Sequence, residues 1–194
     1  NPFVLFGVGP IFIFLIHHRL PVGFLRAGFK YWVSAMGTNI AIAILLIAGI
    51  VALGWLPFLV TFLFITSLAA IIGVWLFYVQ HQFEDTVWDT SDNWQLHEAA
   101  LYGSSYYDLP PPLRWMTANI GIHHVHHLYS RIPFYRLPDV LRDHPRLAGT
   151  GRMTLGESFK TTRLKLWDTL GRRLVTFEAA RALRRNAAPR SVKP

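Results

Sequence analysis

Two apolar runs separated by four residues constrain the fold of this chain more than any other feature of its sequence. The first run is the 14-residue stretch from Ile40 to Leu53, GWLP follows it, and the second run is the 22-residue stretch from Phe58 to Val79. As an α-helix the second run would measure about 33 Å, which matches the ~30 Å hydrocarbon core of a bilayer. The two runs therefore predict a pair of membrane helices joined by a tight turn.

Charged residues are distributed very unevenly around these runs. Only Arg19, Arg26 and Lys30 precede His81, whereas the other 16 of the 19 basic residues and all 11 acidic residues follow it. Because the turn carries no charge and both outer flanks are basic, the positive-inside rule places both open ends of the hairpin in the cytoplasm. The residues after His81 carry too many charges to re-enter the bilayer, so we expect them to form a cytosolic cap.

These patterns predict an all-α membrane protein in three parts. Residues 1–37 would hold an apolar segment of 14 residues, too short to cross a bilayer, and an amphipathic region at the membrane interface. Residues 38–80 would form the transmembrane hairpin. Residues 81–194 would form a helical cap that ends in a basic C-terminal tail.

Within the cap, composition predicts helices separated by proline-rich breaks. We expect one helix over Trp94–Tyr107, a break at the sequence LPPPL of residues 109–113, and a second helix over Arg114–Tyr129. Residues 154–185 also have helical composition. The basic surface of such a cap is better suited to anionic lipid headgroups or an acidic protein than to nucleic acid, because it adjoins an apolar hairpin.

The stretch NIGIHHVHHLYSRIP, residues 119–133, places four histidines in five positions. Four protonated rings would repel one another, whereas neutral imidazole is the commonest metal ligand, so a bound cation is the arrangement that favours this crowding. In a helix, His123, His126 and His127 share one face. His81, at the cytoplasmic end of the second membrane helix, lies where such a cap helix would dock. With no cysteine in the chain, only nitrogen and oxygen ligands are available.

Two of these motifs together resemble a known family. YVQHQFED, followed by NIGIHHVHHLYSRIPFYRLPDVLRDHP, is similar to the last part of the membrane fatty acid desaturases, nearest to the type that adds a second or third double bond to an unsaturated acyl chain. His123, His126 and His127 resemble the third histidine box of the family, and His81 in VQH resembles its additional ligand at the end of the fourth membrane helix. The chain would then be a fragment of a four-helix transmembrane desaturase fold.

The resemblance implies two non-haem irons, ligated by histidines that include His81, His123, His126 and His127. Asn119, one turn before His123 in the expected helix, is a candidate to orient a ligand or hold a water. The implied reaction is O2-dependent desaturation of an acyl-lipid or acyl thioester, of the delta-12 or omega-6 type, in a bacterial inner membrane with the metal on the cytoplasmic side. Ferredoxin or a cytochrome b5-like protein would deliver electrons, received by basic cap residues, namely Arg131, Arg136, Arg142 and Arg146.

One departure from the family and two other readings accompany this interpretation. The family takes further ligands from an H-x-x-x-H box and an earlier H-x-x-H-H box, and neither appears before His81. We therefore predict a fragment that holds at most part of the metal site, with the remaining ligands on a preceding N-terminal part. A related alkane or carotenoid hydroxylase would share these boxes. A non-enzymatic membrane protein that binds a metal such as zinc would also account for the histidines.

Overall fold

The computed structural model describes residues 1, 3–24, 28–90 and 92–187, and it divides into two units, Asn1–Trp75 and Leu76–Pro194. The described residues are mostly helical. This confirms the prediction of a helical protein with two long apolar helices. Two of the predicted segments extend past these limits: Arg26, counted among the basic residues of the interfacial region, and the end of the basic tail at 188–194 lie outside the described residues.

The first unit begins with short helical segments. A π-helical turn at Val4–Val8 leads into α1, Gly9–Leu15, and 3-10 turns follow at His17–Arg19 and Val22–Phe24. The ring of Phe6 packs edge-on against Trp75 at a centroid distance of 5.0 Å. The side-chain amide of Asn39 donates to the Arg19 carbonyl at 2.8 Å. As expected, the apolar segment at the start of the chain is too short to span a bilayer.

Two long helices follow: α2, Phe29–Leu53, and α3, Trp55–His81. Both are long and apolar enough to cross a membrane. α2 begins at Phe29, eleven residues before the predicted run, and Lys30, Tyr31 and Trp32 lie in its first turn. Only Gly54 separates the two helices, with φ 83°, a left-handed conformation that glycine adopts without a Cβ penalty. The predicted tight turn is therefore confirmed and is shorter than GWLP.

The second unit consists of the end of α3 from Leu76 and of the residues that follow α3, which we call the cap. The described residues of the cap form seven further α-helices, four strands and a 3-10 turn at Phe134–Arg136. The helices are α4 Leu96–Tyr102, α5 Pro111–Met116, α6 His123–Leu128, α7 Leu137–Asp143, α8 Pro145–Gly149, α9 Leu155–Thr161 and α10 Phe177–Ala187. The strands are β1 Tyr106–Asp108, β2 Arg152–Thr154, β3 Leu166–Asp168 and β4 Arg173–Val175. β1 pairs with β2 in parallel, and β3 pairs with β4 as an antiparallel hairpin. Sequence patterns predicted neither sheet.

The predicted continuous helix over Arg114–Tyr129 is wrong. α5 ends at Met116 because Ala118 and Asn119 adopt left-handed backbone angles, with φ of 52° and 54°. The chain then bridges to β1 through Tyr106 and Ile122 before α6 begins. The predicted helix over Trp94–Tyr107 is shorter than expected. The break predicted at LPPPL is only partial, because α5 begins inside it at Pro111, a position where the missing N–H costs nothing.

The core of the cap packs directly behind the histidine helix. Tyr106, Ile122, Val125 and Leu137 form a buried cluster, which Ile132, Val140, Leu141 and Leu147 extend. Gly121 allows β1 to approach, since a Cβ there would collide with the Tyr107 carbonyl oxygen. Burial of Ile122 and Val125 on either side of His123 and His124 fixes α6 on the core. α6 is therefore a packed element and not an exposed histidine tract.

Candidate metal centre

Three histidines converge in the cap. His81 is the last residue of α3, and His123 and His127 lie one turn apart on α6. The Nε2 atom of His123 lies 3.0 Å from Nε2 of His81 and 3.0 Å from Nε2 of His127. One ligand nitrogen from each residue falls within 4.8 Å of the other two. The structure thus brings the end of the second apolar helix and the histidine helix together, as the sequence analysis expected.

The orientation of His81 is fixed by a backbone carbonyl. Its Nδ1 lies 3.1 Å from the oxygen of Gly103, the residue that follows α4. A carbonyl accepts and cannot donate, so Nδ1 carries the proton and Nε2 keeps its lone pair. That lone pair points at His123. Histidines that bind a metal commonly use the second ring nitrogen in this way, which sets both the tautomer and the direction of the ring.

The surroundings of His123 keep its ring neutral. Its side chain is buried, and burial together with the nearby charges of His127 and His81 lowers the pKa of His123 to about 3. Burial, and then the charges of His81 and His126, also lowers the pKa of His127. Both rings are therefore neutral near pH 7, the protonation state in which imidazole can bind a metal.

The donor set fits a first-row transition metal ion. Ligand nitrogens that bind one ion at right angles at about 2.0–2.1 Å lie about 3 Å apart, which is the separation between His123 and each of its two neighbours. Three imidazole nitrogens suit iron, zinc, copper or nickel, and they exclude the all-oxygen sites of magnesium and calcium. The three rings therefore form a candidate metal centre.

His126 lies beside this group without joining it. Its ring stacks on His123 at a centroid distance of 5.8 Å and an angle of 21° between the ring planes. The grouped ligand atoms come from His81, His123 and His127. The spacing i, i+3 and i+4 correctly puts three rings on neighbouring parts of α6, yet the tertiary structure directs two of them at His81. A ligand role for His126 stays a prediction.

His124 and Asn119 make contacts of a different kind. The His124 ring is fully buried, its Nε2 lies 3.0 Å from the Leu147 carbonyl, and it contacts Tyr106. Helical spacing leaves His124 off the face shared by His123, His126 and His127, and these contacts agree with that. The side-chain amide of Asn119 donates to the Phe134 carbonyl at 3.0 Å. The helical position assigned to Asn119 one turn before His123 is wrong, because α6 begins only at His123.

Sequence reasoning missed the groups that surround the three histidines. The Gly103 carbonyl orients His81, and no sequence pattern identifies a backbone oxygen in advance. A cavity of about 350 Å³ adjoins His81 and His127, and its walls include Trp88, Trp94, Leu96 and Glu98. The acidic and aromatic composition of residues 84–94 was the available signal. It indicated a turn-rich segment and gave no direction to the side chains.

Comparison with known proteins agrees with this geometry. Residues 2–159 match the fatty acid desaturase family. A protein from Bacillus subtilis (strain 168) described as a fatty acid desaturase is 41% identical over 179 residues, which cover 92% of this chain. The chain spans about half (50%) of the length of that curated relative. No solved structure matches the chain. On the family match and the identity to this relative, the chain belongs to the fatty acid desaturase family.

Proposed function

We propose that this chain is the metal-binding part of an O2-dependent fatty acyl desaturase. The observation that carries the proposal is the meeting of His81, at the end of an apolar helix, with His123 and His127 on α6 at nitrogen separations of 3.0 Å. Ordinary acid and base side chains cannot break an unactivated C–H bond, so the reaction needs a redox metal close to where an apolar chain is bound. Three histidines that could hold such a metal lie at the end of an apolar helix, which supports this proposal.

Two non-haem irons are the proposed cofactor, with His81, His123, His126 and His127 as part of their ligand shell. When bound, the irons would supply the activation of O2 and the removal of two hydrogens from neighbouring CH2 groups. The protein residues hold the geometry: the Gly103 carbonyl keeps the lone pair of His81 turned towards His123, and burial keeps His123 neutral. The stacking of His126 on His123 supports a ligand role for His126 next to the grouped nitrogens.

The proposed substrate is the acyl chain of a lipid or thioester, and the proposed regiochemistry is that of the delta-12 or omega-6 type. α3 is apolar along its length and ends at His81. An acyl chain that follows such a helix from the hydrocarbon region reaches the histidines without crossing water. Phe77, whose ring centroid is 5.0 Å from that of His81, would border the reacting carbons.

We further propose that the cap faces the cytoplasm at a bacterial inner membrane and receives electrons from a ferredoxin or a cytochrome b5-like donor. The basic residues favoured for docking differ in available charge. Arg136 and Arg142 both bind Asp139, at 3.1 and 2.9 Å, so part of their charge is already balanced. Arg131 and Arg146 complete the proposed surface. Charge reversal at Arg131 should slow electron delivery while the iron content stays unchanged.

The test is product analysis of cells that express the intact protein with His127→Ala or His126→Ala. Gas chromatography of the membrane lipids should show a new double bond with the wild type and none with either variant. His144→Ala is the control, because this exposed histidine lies outside the grouped ligands. Hydroxylated acyl chains among the products would mean that the reaction is hydroxylation and not desaturation. Unchanged lipids, together with a wild-type protein that binds only zinc, would overturn the enzyme proposal.

A further inference from the structure

Three consecutive side chains at the end of α3 bind backbone carbonyls of three different cap segments. The Gln80 amide donates to Ile120 at 3.0 Å, Nδ1 of His81 donates to Gly103 at 3.1 Å, and the Gln82 amide donates to Leu164 at 3.0 Å. The two glutamines therefore make the same kind of hydrogen bond from the same helix end. They differ in what their partner segments carry.

The partner of Gln80 leads directly into the histidine helix. Ile120 lies three residues before His123, the first residue of α6. The partner of Gln82, Leu164, lies between α9 and β3, a segment that supplies none of the grouped ligands. Of the two amides, only that of Gln80 ties the helix bearing His81 to the helix bearing His123 and His127.

Gln80 is also enclosed where it makes this contact. Its side chain is 1% exposed, whereas Gln82 is half-buried. Its own carbonyl accepts a hydrogen bond from the Ser105 amide at 2.9 Å, so main chain and side chain both bind the cap. A buried amide without its partner is costly, which holds the end of α3 in one register against residue 120.

A metal centre depends on such a register, because its ligands must be held within about 0.5 Å of the productive geometry. The nitrogens of His81 and His123 lie 3.0 Å apart and belong to helices distant in sequence. We propose that Gln80 is a positioning residue for the metal centre: its amide sets the register of α3 against α6 and thereby the affinity of the site for iron. This rests on the function proposed above for the same histidines.

The experiment compares Gln80→Met with Gln82→Met in the intact protein purified in detergent. Methionine keeps the length of the side chain and removes the donor. Fe2+ affinity is measured by competition with a chelator, and melting temperature is recorded in parallel. We expect affinity to fall about 10- to 100-fold with Gln80→Met, the range seen when groups that orient metal ligands are removed, and to change less than about twofold with Gln82→Met.

A coupling test separates register from general stability. If Gln80 acts by placing the two ligands, its replacement in a His123→Ala background should produce little further loss of Fe2+ affinity. Equal losses in both backgrounds, equal losses from the two glutamine variants, or a Gln80→Met chain that does not fold would each overturn the proposal. Wild-type affinity in Gln80→Met would also overturn it and leave the proposed desaturase intact, whereas a wild-type protein that binds no Fe2+ would overturn both.

Discussion

α2 and the cap use apolar side chains in opposite ways. None of the described residues of α2 is buried, and Leu45 and Val51 are 69% and 80% exposed. The cap encloses Tyr107, Ile122 and Val125 almost completely. A helix that exposes its leucines in water would lose the free energy that burial provides. The comparison indicates that α2 has lipid as its solvent and that the cap folds around its own core.

Polar side chains of the two long helices and of the cap also differ in where they find their hydrogen-bond partners. Thr38 and Thr66 donate to carbonyls four residues earlier in their own helices, at 3.0 and 2.6 Å. In the cap, Gln82 reaches Leu164, and Tyr107 binds Ser158. Hydroxyls in a membrane helix can bond carbonyls of their own helix, although Asn39 of α2 reaches the Arg19 carbonyl. The cap gains its structure from contacts between distant segments. Only the second arrangement can bring histidines from separate elements to one point.

The largest expected effect comes from placing the same charge in both regions. Leu45→Arg, near the middle of α2, should cost about 2.5–3.5 kcal/mol for insertion, the penalty for arginine at the centre of a membrane helix. Leu170→Arg, at a cap residue that is 96% exposed, should change stability by less than about 0.5 kcal/mol. The measurement is the fraction of protein that stays in the membrane after alkaline extraction. Equal retention of both variants would show that α2 tolerates an arginine as well as the cap surface does.

A smaller effect should follow when a buried polar contact of the cap is removed. His124→Ala leaves the Leu147 carbonyl without its ring partner inside a closed core, which should lower the free energy of unfolding by about 1–3 kcal/mol. Denaturant unfolding of the cap, followed by tryptophan fluorescence, measures this loss. His144→Ala is the control and should unfold like the wild type. A stable His124→Ala protein would show that the cap core tolerates an unpaired carbonyl.

The smallest effect concerns pH and the ionic contacts that join β1 to β2. Asp108 accepts from Arg152 at 3.0 Å, from Arg114 at 2.8 Å and from Tyr106 at 3.1 Å. Burial alone would raise the pKa of Asp108, but the hydrogen bonds from Arg152 and Tyr106 and the charges of Arg152 and Arg114 outweigh it and lower the pKa. Asp108→Asn should therefore cost about 1 kcal/mol near pH 7.

The sign of the pH dependence follows from the lowered pKa. The folded cap binds fewer protons at Asp108 than the unfolded chain does, so this contribution is complete above the unfolded value of about 3.9 and is lost as the pH falls through the lower folded value. The stabilities of wild type and Asp108→Asn should then begin to converge below about pH 4 and should meet once the pH is below the folded pKa of Asp108. Asp143→Asn, at a more exposed carboxylate, is the control. A difference that persists at low pH would mean that shape and not charge holds β1 to β2.

Much of the histidine cluster was predictable because its signals are local. Histidines at spacings of three and four must lie on neighbouring parts of a helix. The end of an apolar helix is marked by the point where the apolar run stops and charged residues begin. The prediction that His81 joins the histidines of α6 required both signals. The exclusion of His124 also followed from helical geometry, and its burial against Tyr106 agrees with it.

Other parts of the site depended on contacts that no local pattern contains. The helix expected over Arg114–Tyr129 is divided because Asn119 binds Phe134 and Ile122 bridges to Tyr106, both distant in sequence. The three-residue strands β1 and β2 are too short to show alternation. That His126 lies outside the grouped nitrogens likewise follows from how α6 packs on its core.

Hydrophobicity and helical period act over neighbouring residues, so the amino-acid sequence was enough to predict two apolar helices joined by a tight turn and a set of histidines that share one helical face. Which rings meet depends on the folded cap. The end of α3 donates hydrogen bonds to Gly103 and Ile120 and accepts one from Ser105, and there His81 lies 3.0 Å from His123. Those partners are backbone atoms, which every residue carries. Their selection depends on the folded cap as a whole.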